Sequence, residues 1–401
     1  MEILKTSTEW MSLEQPSPTG QVKRGFTIGL PAEQDRNESR IVLTPLEVSA
    51  LVEQGHKVII ERNLGARTCY TNQDFAGAGA IITENHSEAF FADIVLRVSL
   101  PDLGEIELMK SNAVLISSIK SASKDEKYFR ALLKNKITAI SFEHIRTEHG
   151  EFPLYDTIQE IAGHTAVMVA SSLLADGIDG QGKSLSGFAG IAPAEALILG
   201  SNMAAFSAVN TAYGMGASVK ILDRCVAGLS RIREKARFQL YTDTLNAETL
   251  SKILPHADIV ICTLQFKESR PEFFVPVELI REMKKGAVIV DLSIDCGGSF
   301  ETSRPTMHSD PVFKELNVTH YCVPNITALV SNTTTLAFSN FLAPALHKMG
   351  REGHIDNFLL SNLAWMNGVY TYKGYATNIE FSERYDLPYK EIDLLMTIFN
   401  K

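Results

Sequence analysis

Short apolar runs alternate with longer helical patterns in the first part of the chain. Residues 44–54 carry the apolar spacing of a helix, and Gly55 follows where a glycine commonly ends one. The apolar runs predict strands at 26–30, 57–61, 80–82, 94–98, 114–116 and 137–140. Because strands that alternate with helices are typical of βαβ units, we expect an α/β fold with a parallel, doubly wound sheet.

The second part of the chain repeats this alternation after a long helical pattern. That pattern predicts a helix over about 155–175, and a glycine-rich loop follows over 177–190. Further apolar runs predict strands at 196–199, 218–222, 258–262, 287–291 and 320–323. The tail from about Ser331 is expected to be mainly helical, and at ~70 residues it is short for a separate domain. We therefore expect two Rossmann-like, doubly wound domains, with the second inserted into the first.

Composition narrows the class of protein. The 401 residues include 38 Lys+Arg and 47 Asp+Glu, giving a formal net charge of −9. An acidic chain does not attract polyanions, so nucleic acid is not an expected partner. The 5 cysteines contain no CxxC pair and the 10 histidines show no ligand spacing, so neither a disulfide framework nor a metal site is expected. We expect a protein of the reducing cytoplasm.

Neither a membrane span nor a secretory signal is expected. No apolar run reaches the ~18 residues of a membrane span. Residues 1–23 lack the apolar core of a secretory signal, and we interpret them as an N-terminal extension.

The segment from Leu197 to Ala205 reads as a strand, a tight turn at Gly200 and the start of a helix. Asp223 closes the next strand about 20 residues later, the context of a dinucleotide-binding fingerprint. In such a turn pyrophosphate lies over the helix N-terminus, and the acidic residue holds the ribose hydroxyls. Asp223 favours NAD over NADP, although the neighbouring Arg224 weakens that preference.

The fingerprint departs from its usual pattern at one position. Gly200 and Ala205 occupy its first and third positions, but Asn202 replaces the middle glycine that lets the backbone approach the pyrophosphate. Asparagine tolerates left-handed dihedral angles, yet its side chain occupies space. NAD binding and a Rossmann-type domain that has lost its nucleotide both stay open on these residues.

Longer segments resemble a known family. They are GLPAEQDRNESRIVLTP, ADIVLRVSLPDLGEIELMK, QEIAGHTAV, GFAGIAPAEALILG, MKKGAVIVDLSIDCGGSFETSRPT and HYCVPNITALV. The chain from about residue 24 is similar to alanine dehydrogenase and its relatives, the nicotinamide nucleotide transhydrogenase alpha subunit and saccharopine dehydrogenase. The run VDLSIDCGG is the most specific of these segments.

The resemblance implies a domain plan, a reaction and an assembly. Residues 24–154 and 332–401 would form a substrate domain, and 155–331 an NAD-binding domain. The implied reaction is the reversible oxidative deamination of L-alanine to pyruvate and ammonia, with a hydride passed to NAD. A homo-oligomer, hexamer or dimer, is also implied.

The resemblance assigns roles to five positions. Arg40 falls on the arginine that binds the substrate carboxylate, Asp295 on the active-site aspartate beside the cofactor, and Asn325 on a residue where cofactor and substrate meet. Arg97 stands where the family has a lysine that contacts the substrate carbonyl. Lys120 stands where the family has a catalytic histidine.

The last two positions are departures that bear on chemistry. Arg97 can polarise a carbonyl but does not lose its proton. A lysine has an ordinary pKa of about 10.4, against about 6.5 for histidine, so Lys120 could act as a base only if its site strongly disfavoured the ammonium. Otherwise Arg97 and Lys120 would form a cationic pocket for an anion. His164 and His144 are alternative acid–base candidates.

Three functions therefore stay open. The first is an NAD-dependent amino-acid dehydrogenase, most simply alanine dehydrogenase. The second is a non-catalytic paralogue that binds an anionic metabolite or nucleotide. The third is a dehydrogenase for another substrate, such as a saccharopine-like or N-carboxyalkyl amino acid, because Arg97 and Lys120 would suit more than one carboxylate.

Overall fold

The fold is taken from a computed structural model that describes residues 25–35, 37–118, 126–178, 180–264 and 275–399. The predicted N-terminal extension and the candidate Lys120 lie outside the described residues. Within those ranges, no helix combines the length and apolar character needed to cross a bilayer.

The first sheet combines strands from both ends of the chain. Its strands are β1 (Thr27–Leu30), β2 (Lys57–Glu61), β3 (Ile81–Thr83), β4 (Ile94–Leu96), β5 (Val114–Ser117), β6 (Thr138–Ser141), β14 (Val369–Tyr372) and β15 (Tyr375–Ala376). Their spatial order is β15-β14-β6-β5-β4-β1-β2-β3. Strands β1 to β6 are parallel, and β14 and β15 continue the sheet in antiparallel pairing.

The second sheet is built from the middle of the chain. Its strands are β7 (Glu195–Leu199), β8 (Ser218–Asp223), β9 (Tyr241–Thr244), β10 (Ile259–Cys262), β11 (Val288–Asp291), β12 (Val312–Glu315) and β13 (Val318–Tyr321). Their order is β12-β13-β11-β10-β7-β8-β9, with antiparallel pairing between β12 and β13 and parallel pairing elsewhere. The predicted α/β class with two Rossmann-like sheets is therefore confirmed.

Helices connect the strands and cover the sheets. Those up to the second sheet are α1 (Pro45–Glu53), α2 (Asn72–Gly77), α3 (His86–Phe90), α4 (Leu103–Leu108), α5 (Glu126–Lys134) and α6 (Pro153–Ala175). Those of the second sheet are α7 (Met203–Gly214), α8 (Val226–Lys235), α9 (Ala247–Ile253) and α10 (Val277–Arg281). The last are α11 (Ser331–Glu352), α12 (Ile355–Leu360), α13 (Leu363–Met366), α14 (Ile379–Tyr385) and α15 (Ile392–Phe399).

Helix α1 illustrates how local sequence sets these bounds. Thr44 precedes it with an extended backbone and accepts a hydrogen bond from the Glu47 amide, and Pro45 occupies the first turn. Gly55 follows with φ +89°, a left-handed conformation that favours glycine. These residues end the helix where the sequence predicts.

Two long helices carry the chain between the sheets. Helix α6 leads from the first sheet to the second, and α11 returns to the first. Gly163 of α6 has no room for a side chain, because a Cβ there would lie 2.0 Å from the Ala204 carbonyl oxygen. Helix α6 therefore lies directly against the first turn of α7, and Ser207 Oγ donates to the Glu160 carbonyl at 2.6 Å.

The structure differs from the sequence-based expectation in the C-terminal tail and at the boundary of one strand. The tail is mainly helical, as predicted, but it also contains β14 and β15, which the pattern does not predict. The strand predicted at 320–323 is observed at Val318–Tyr321, two residues earlier. Strand β14 is fully buried against β6. Its Val-Tyr-Thr-Tyr sequence has the β-branched and aromatic residues that suit this position.

Candidate active site

Each sheet has a point where the strand connections reverse direction. We call these the switch points. The first switch point lies between β1 and β4 of the first sheet, and the second switch point lies between β7 and β10 of the second sheet. Ligands of doubly wound folds bind at such points, outside the carboxyl ends of the strands. The loops after these four strands carry most of the candidate residues.

Arg40, in the loop after β1, is held by residues of two segments far apart in the chain. Its Nε and Nη2 donate to the two carboxylate oxygens of Glu38 at 2.7 and 2.5 Å, and its Nη1 donates to Thr327 Oγ1 at 2.8 Å. Burial alone lowers the pKa of Arg40, but the charge and hydrogen bonds of Glu38, together with the charges of Glu33 and Glu143, raise it overall. Arg40 therefore stays charged, and three of its five N–H groups are used in the described residues.

Arg97, directly after β4, is 4% exposed and lies between two carboxylates. Its Nε donates to Glu33 at 3.0 Å and its Nη1 to Glu105 at 2.6 Å. Burial alone lowers the pKa of Arg97, but these two charges raise it overall. The guanidinium keeps its Nη2 for a further contact, since no residue in the described part of the chain bonds it.

Glu33, in the loop after β1, accepts hydrogen bonds from the loop after β4. Its Oε1 accepts the amides of Val98 and Ser99 at 2.8 and 3.2 Å, and its Oε2 accepts the Ser99 hydroxyl as well as Arg97. Burial raises the pKa of Glu33 despite these donors. The loops after β1 and β4 are thereby joined by one side chain.

Glu105 extends this network towards the surface. Its Oε1 lies 2.9 Å from His86 Nε2, while His86 Nδ1 lies 2.7 Å from Glu61. Glu105 also accepts the Asp102 amide at 2.6 Å, as part of the capping box that starts α4. Arg97 is consequently held between two carboxylates that have further hydrogen bonds of their own. We call Glu33 and Glu105 the frame around Arg97.

Asn325 lies at the junction between the two sheets. Its Nδ2 donates to the Asn37 carbonyl at 2.9 Å, which links it to the loop that carries Arg40. His308 Nε2 lies 3.1 Å from Asn325 Oδ1 and 3.2 Å from its carbonyl oxygen, so this nitrogen is the one that bears the proton. The His308 amide donates to Asn37 Oδ1 at 3.2 Å, so the three residues form a closed ring.

Asp295 is presented by a short 3₁₀ helix after β11, Ile294–Cys296, and is exposed. The buried Asp291 organises this loop, because its carboxylate accepts the amides of Ser293 and Ser299, each at 2.9 Å, and the Ser303 hydroxyl at 2.7 Å. Burial raises the pKa of Asp291. The VDLSIDCGG segment thus encodes a loop with one structural and one exposed aspartate.

The turn after β7 has the backbone of a dinucleotide-binding turn. Gly200 has φ +115°, and a Cβ there would lie 2.4 Å from Thr263 Oγ1, so only glycine fits. Asn202 is the residue that caps α7. Its Oδ1 accepts the Ala205 amide at 3.0 Å and its Nδ2 donates to the Thr263 carbonyl at 2.6 Å. The second switch point is therefore also joined by one side chain.

Asp223 ends β8 beside this turn. Its Oδ1 accepts the Cys225 amide at 2.6 Å. Its Oδ2 has no hydrogen-bond partner within the ranges that the structure covers. This arrangement leaves one carboxylate oxygen available to ribose hydroxyls.

The two alternative acid–base candidates, His144 and His164, are each hydrogen-bonded to a hydroxyl group. His144 Nδ1 is 2.8 Å from Ser141 Oγ at the end of β6, and burial lowers the pKa of His144. His164 Nδ1 is 3.0 Å from Thr211 Oγ1 on α7. Each therefore has a hydroxyl partner within its own part of the fold.

Comparisons with known proteins agree with this architecture. The family model for the alanine dehydrogenase/PNT N-terminal domain matches residues 29–162, and the model for the C-terminal domain of the same family matches residues 166–379.

The chain belongs to the alanine dehydrogenase/PNT family.

Individual members of the alanine dehydrogenase/PNT family match along nearly their whole length. An alanine dehydrogenase of Staphylococcus saprophyticus is 32% identical over 367 residues, which cover 91% of this chain and 98% of the relative. An alanine dehydrogenase of Methanococcus maripaludis is 32% identical over 90% of this chain and 97% of the relative. A solved L-alanine dehydrogenase superposes with a TM-score of 0.82 at 29% identity, covering 90% of this chain and 99% of that one. A transhydrogenase from Sinorhizobium meliloti, at 22% identity and a TM-score of 0.72, shares the fold.

The structure joins some of the sequence candidates and adds others. Arg40 bonds Thr327 and Asn325 bonds Asn37, so both lie at one junction. Arg97 is instead held by Glu33 and Glu105 at the first switch point. Sequence reasoning missed the residues that hold these candidates, namely Glu33, Glu38, Glu105 and His308. Glu33 and Glu38 lie in the same segment as Arg40, but nothing in that segment indicates which arginine each carboxylate pairs with.

Proposed function

We propose that this protein is an NAD-dependent amino-acid dehydrogenase that interconverts L-alanine with pyruvate and ammonia. The observation that carries the proposal is the setting of Arg40, a charged guanidinium fixed between Glu38 and Thr327 where the two sheets meet. The full-length similarity to proteins named alanine dehydrogenase supports the same reaction. In the forward direction, L-alanine, NAD⁺ and water give pyruvate, ammonium, NADH and a proton.

The residues of the second sheet fit a dinucleotide. Gly200 has no room for a Cβ, α7 begins directly after this turn, and Asp223 ends the adjacent strand. The backbone from Gly200 to Ala205 would hold the pyrophosphate and Asp223 the ribose, with Asp295 towards the nicotinamide side. Bound NAD supplies a hydride acceptor.

Arg40 and Asn325 would hold the substrate. Two N–H groups of the Arg40 guanidinium remain for a carboxylate, in the planar geometry that suits that anion. Asn325 is fixed by His308 and Asn37, so its carboxamide has a single orientation at the same junction. Arg97 Nη2 would face the substrate carbonyl oxygen, with Glu33 and Glu105 holding the guanidinium plane.

A proton must also leave the substrate amine, and Arg97 cannot take it because its pKa is raised. Lys120, which stands at the family's histidine position, is our candidate for this step, and Asp295 is the second catalytic candidate. Lysine can accept a proton near neutral pH only where its ammonium is disfavoured. We therefore expect oxidative deamination to rise towards alkaline pH and to be lost in Lys120→Met.

A second candidate is a paralogue that binds an anionic metabolite without turnover, or that acts on another amino acid. It is favoured by the Asn202 cap on the cofactor turn. Glu33 and Glu105 already match the charge of Arg97, so Arg97 does not supply the net positive charge of the predicted cationic pocket. We further expect a cytoplasmic homo-oligomer, either hexamer or dimer, which light scattering of the purified protein measures.

Steady-state absorbance of NADH tests the proposal. The purified protein should oxidise NADH when pyruvate and ammonia are both present and should do so more weakly with NADPH. A panel of other keto acids and amines separates an altered substrate from alanine. If NADH is consumed with no pair of substrates even at high enzyme concentration, the dehydrogenase proposal is wrong and the binding paralogue is preferred.

A further inference from the structure

Asn202 uses both ends of its carboxamide within the cofactor turn. Its Oδ1 accepts the Ala205 amide in the first turn of α7 at 3.0 Å, and its Nδ2 donates to the Thr263 carbonyl after β10 at 2.6 Å. Its backbone is extended, with φ −85° and ψ −172°, as expected for a residue that caps a helix. The side chain therefore lies over the start of α7 and spans the second switch point.

Oδ1 occupies the Ala205 amide, one of the N–H groups at the start of α7. A pyrophosphate at a strand–turn–helix motif is held by backbone N–H groups of the first helical turn. Here one of those groups, the Ala205 amide, already donates to an oxygen that the chain supplies itself. An asparagine oxygen carries only a partial negative charge, so it is a weaker partner for the helix end than a phosphate oxygen.

We propose that Asn202 is an internal competitor of the dinucleotide pyrophosphate. The Asn202 side chain has to leave both Ala205 and Thr263 before a phosphate oxygen can take the Ala205 amide, so this exchange sets the affinity for NAD. The inference rests on the proposed function, because it concerns the cofactor of that reaction. It makes Asn202 a determinant of cofactor affinity that needs no contact with the substrate.

The proposal predicts a graded series at position 202. Asn202→Gly removes the competing oxygen and should tighten NADH binding about tenfold, which corresponds to about 1.4 kcal/mol. Asn202→Ser keeps a capping oxygen but loses the donor to Thr263, so its Kd should lie between those of Gly and wild type. Asn202→Asp keeps the cap and adds a full negative charge, so NADH binding should weaken by more than tenfold.

The chain offers a matched control in the same domain. Asn246 caps α9 in the same manner, with its Oδ1 accepting the Thr249 amide at 2.8 Å and its Nδ2 donating to the Thr244 carbonyl at 3.3 Å. Asn246→Gly should therefore lower the thermal stability of the unliganded protein about as much as Asn202→Gly does. It should leave the Kd for NADH unchanged.

Titration of NADH fluorescence and calorimetry with NAD⁺, ADP-ribose and adenosine measure these effects on the full chain. ADP-ribose should follow the same series as NADH because it contains the pyrophosphate, whereas adenosine should bind all variants equally. A Kd for Asn202→Gly within twofold of wild type, or an equal gain in Asn246→Gly, overturns the inference.

The outcomes also separate this inference from the proposed function. If wild type oxidises NADH with pyruvate and ammonia, but the substitutions at position 202 leave the Kd for NADH unchanged, the inference alone fails. If NADH binds weakly to wild type and tightly to Asn202→Gly, the inference holds whether or not turnover is observed. If neither protein binds NADH at millimolar concentration, both the inference and the assignment of NAD as cofactor fail.

Discussion

Glu33 and Arg97 join the two loops that leave the central strands of the first sheet, with Nε donating to Oε2 at 3.0 Å. Asn202 and Thr263 join the equivalent loops of the second sheet at 2.6 Å. Each pair spans the point at which a doubly wound sheet binds its ligand. The chain's own side chains thus bridge both of these points, and a ligand that bound there would either accept these contacts or displace them.

The contact between Glu33 and Arg97 predicts a large effect on stability when the arginine is removed. Arg97→Ala leaves Glu33 and Glu105 buried without their cation, which should lower the free energy of unfolding by about 3–5 kcal/mol. Arg97→Lys keeps a charge but cannot reach both carboxylates with the same geometry, so its loss should be smaller. Chemical denaturation followed by circular dichroism measures both.

Lys110 provides the comparison for this prediction, because its ion pair with Asp93 is partly exposed. Lys110→Ala should cost at most about 1 kcal/mol. An Arg97→Ala variant as stable as Lys110→Ala would mean that the buried network contributes little.

Arg40 predicts a change in substrate affinity. Arg40→Lys cannot donate to both oxygens of Glu38, to Thr327 and to a substrate carboxylate with one ammonium group. The KM for pyruvate should rise at least about tenfold, with a smaller decrease in kcat, because ground-state binding of the carboxylate is lost. Steady-state kinetics at saturating NADH and ammonia measure the two constants.

Arg62→Lys is the control for Arg40→Lys, since Arg62 pairs with Glu84 on the surface. Its KM for pyruvate should equal that of wild type. A normal KM in Arg40→Lys would remove Arg40 from the substrate site.

The fold was largely predictable because its central strands are continuous apolar runs. Strands β5 and β11 are buried at every position, and each reads as an apolar run up to its last residue. Strand β9 was missed because Tyr241–Thr244 lies at a sheet edge and has no apolar run. Strand β14 was missed because its partner β6 is more than 200 residues earlier in the chain, and local patterns do not report such pairing.

From the residue pattern alone, without the family resemblance, the candidate site was predictable only where its geometry is local. Gly200, Asn202 and Ala205 form one turn, so their spacing in the sequence already describes it. The partners of Arg97 lie 64 residues before it and 8 after it, and no periodicity marks them. His308 was missed for a related reason, since its ring contacts Asn325 only because an intervening hairpin of β12 and β13 returns the chain.

His308 predicts a positioning effect on catalysis. His308→Phe keeps the ring but removes the Nε2 donor to Asn325, so the carboxamide loses its fixed orientation. We expect kcat/KM to fall about tenfold, the value of one hydrogen bond of about 1.4 kcal/mol. His308→Gln places an amide donor near the position of Nε2 and should restore part of the loss.

A histidine outside the candidate site separates this effect from general perturbation. His347 on α11 bonds Gln54 at 2.9 Å, and His347→Phe should leave kcat/KM unchanged. Equal kinetics in His308→Phe and wild type would show that Asn325 needs no partner at Nε2.

His320 predicts how stability depends on pH. Burial lowers the pKa of His320 to about 4, so the folded protein holds it neutral while the unfolded chain takes up a proton near its ordinary pKa of 6.5. Stability from this residue is therefore complete above about pH 6.5 and is lost as the pH falls towards 4, by about 3 kcal/mol in total. His320→Phe keeps the stacking on Phe313 and should make the free energy of unfolding less dependent on pH over that range.

Thr302→Val is the control, because it removes the hydroxyl 2.8 Å from His320 Nε2 but keeps the imidazole. It should lower the free energy of unfolding and leave its dependence on pH unchanged. Urea denaturation at several pH values measures these slopes, and equal slopes for wild type and His320→Phe would show that another group causes the acid sensitivity.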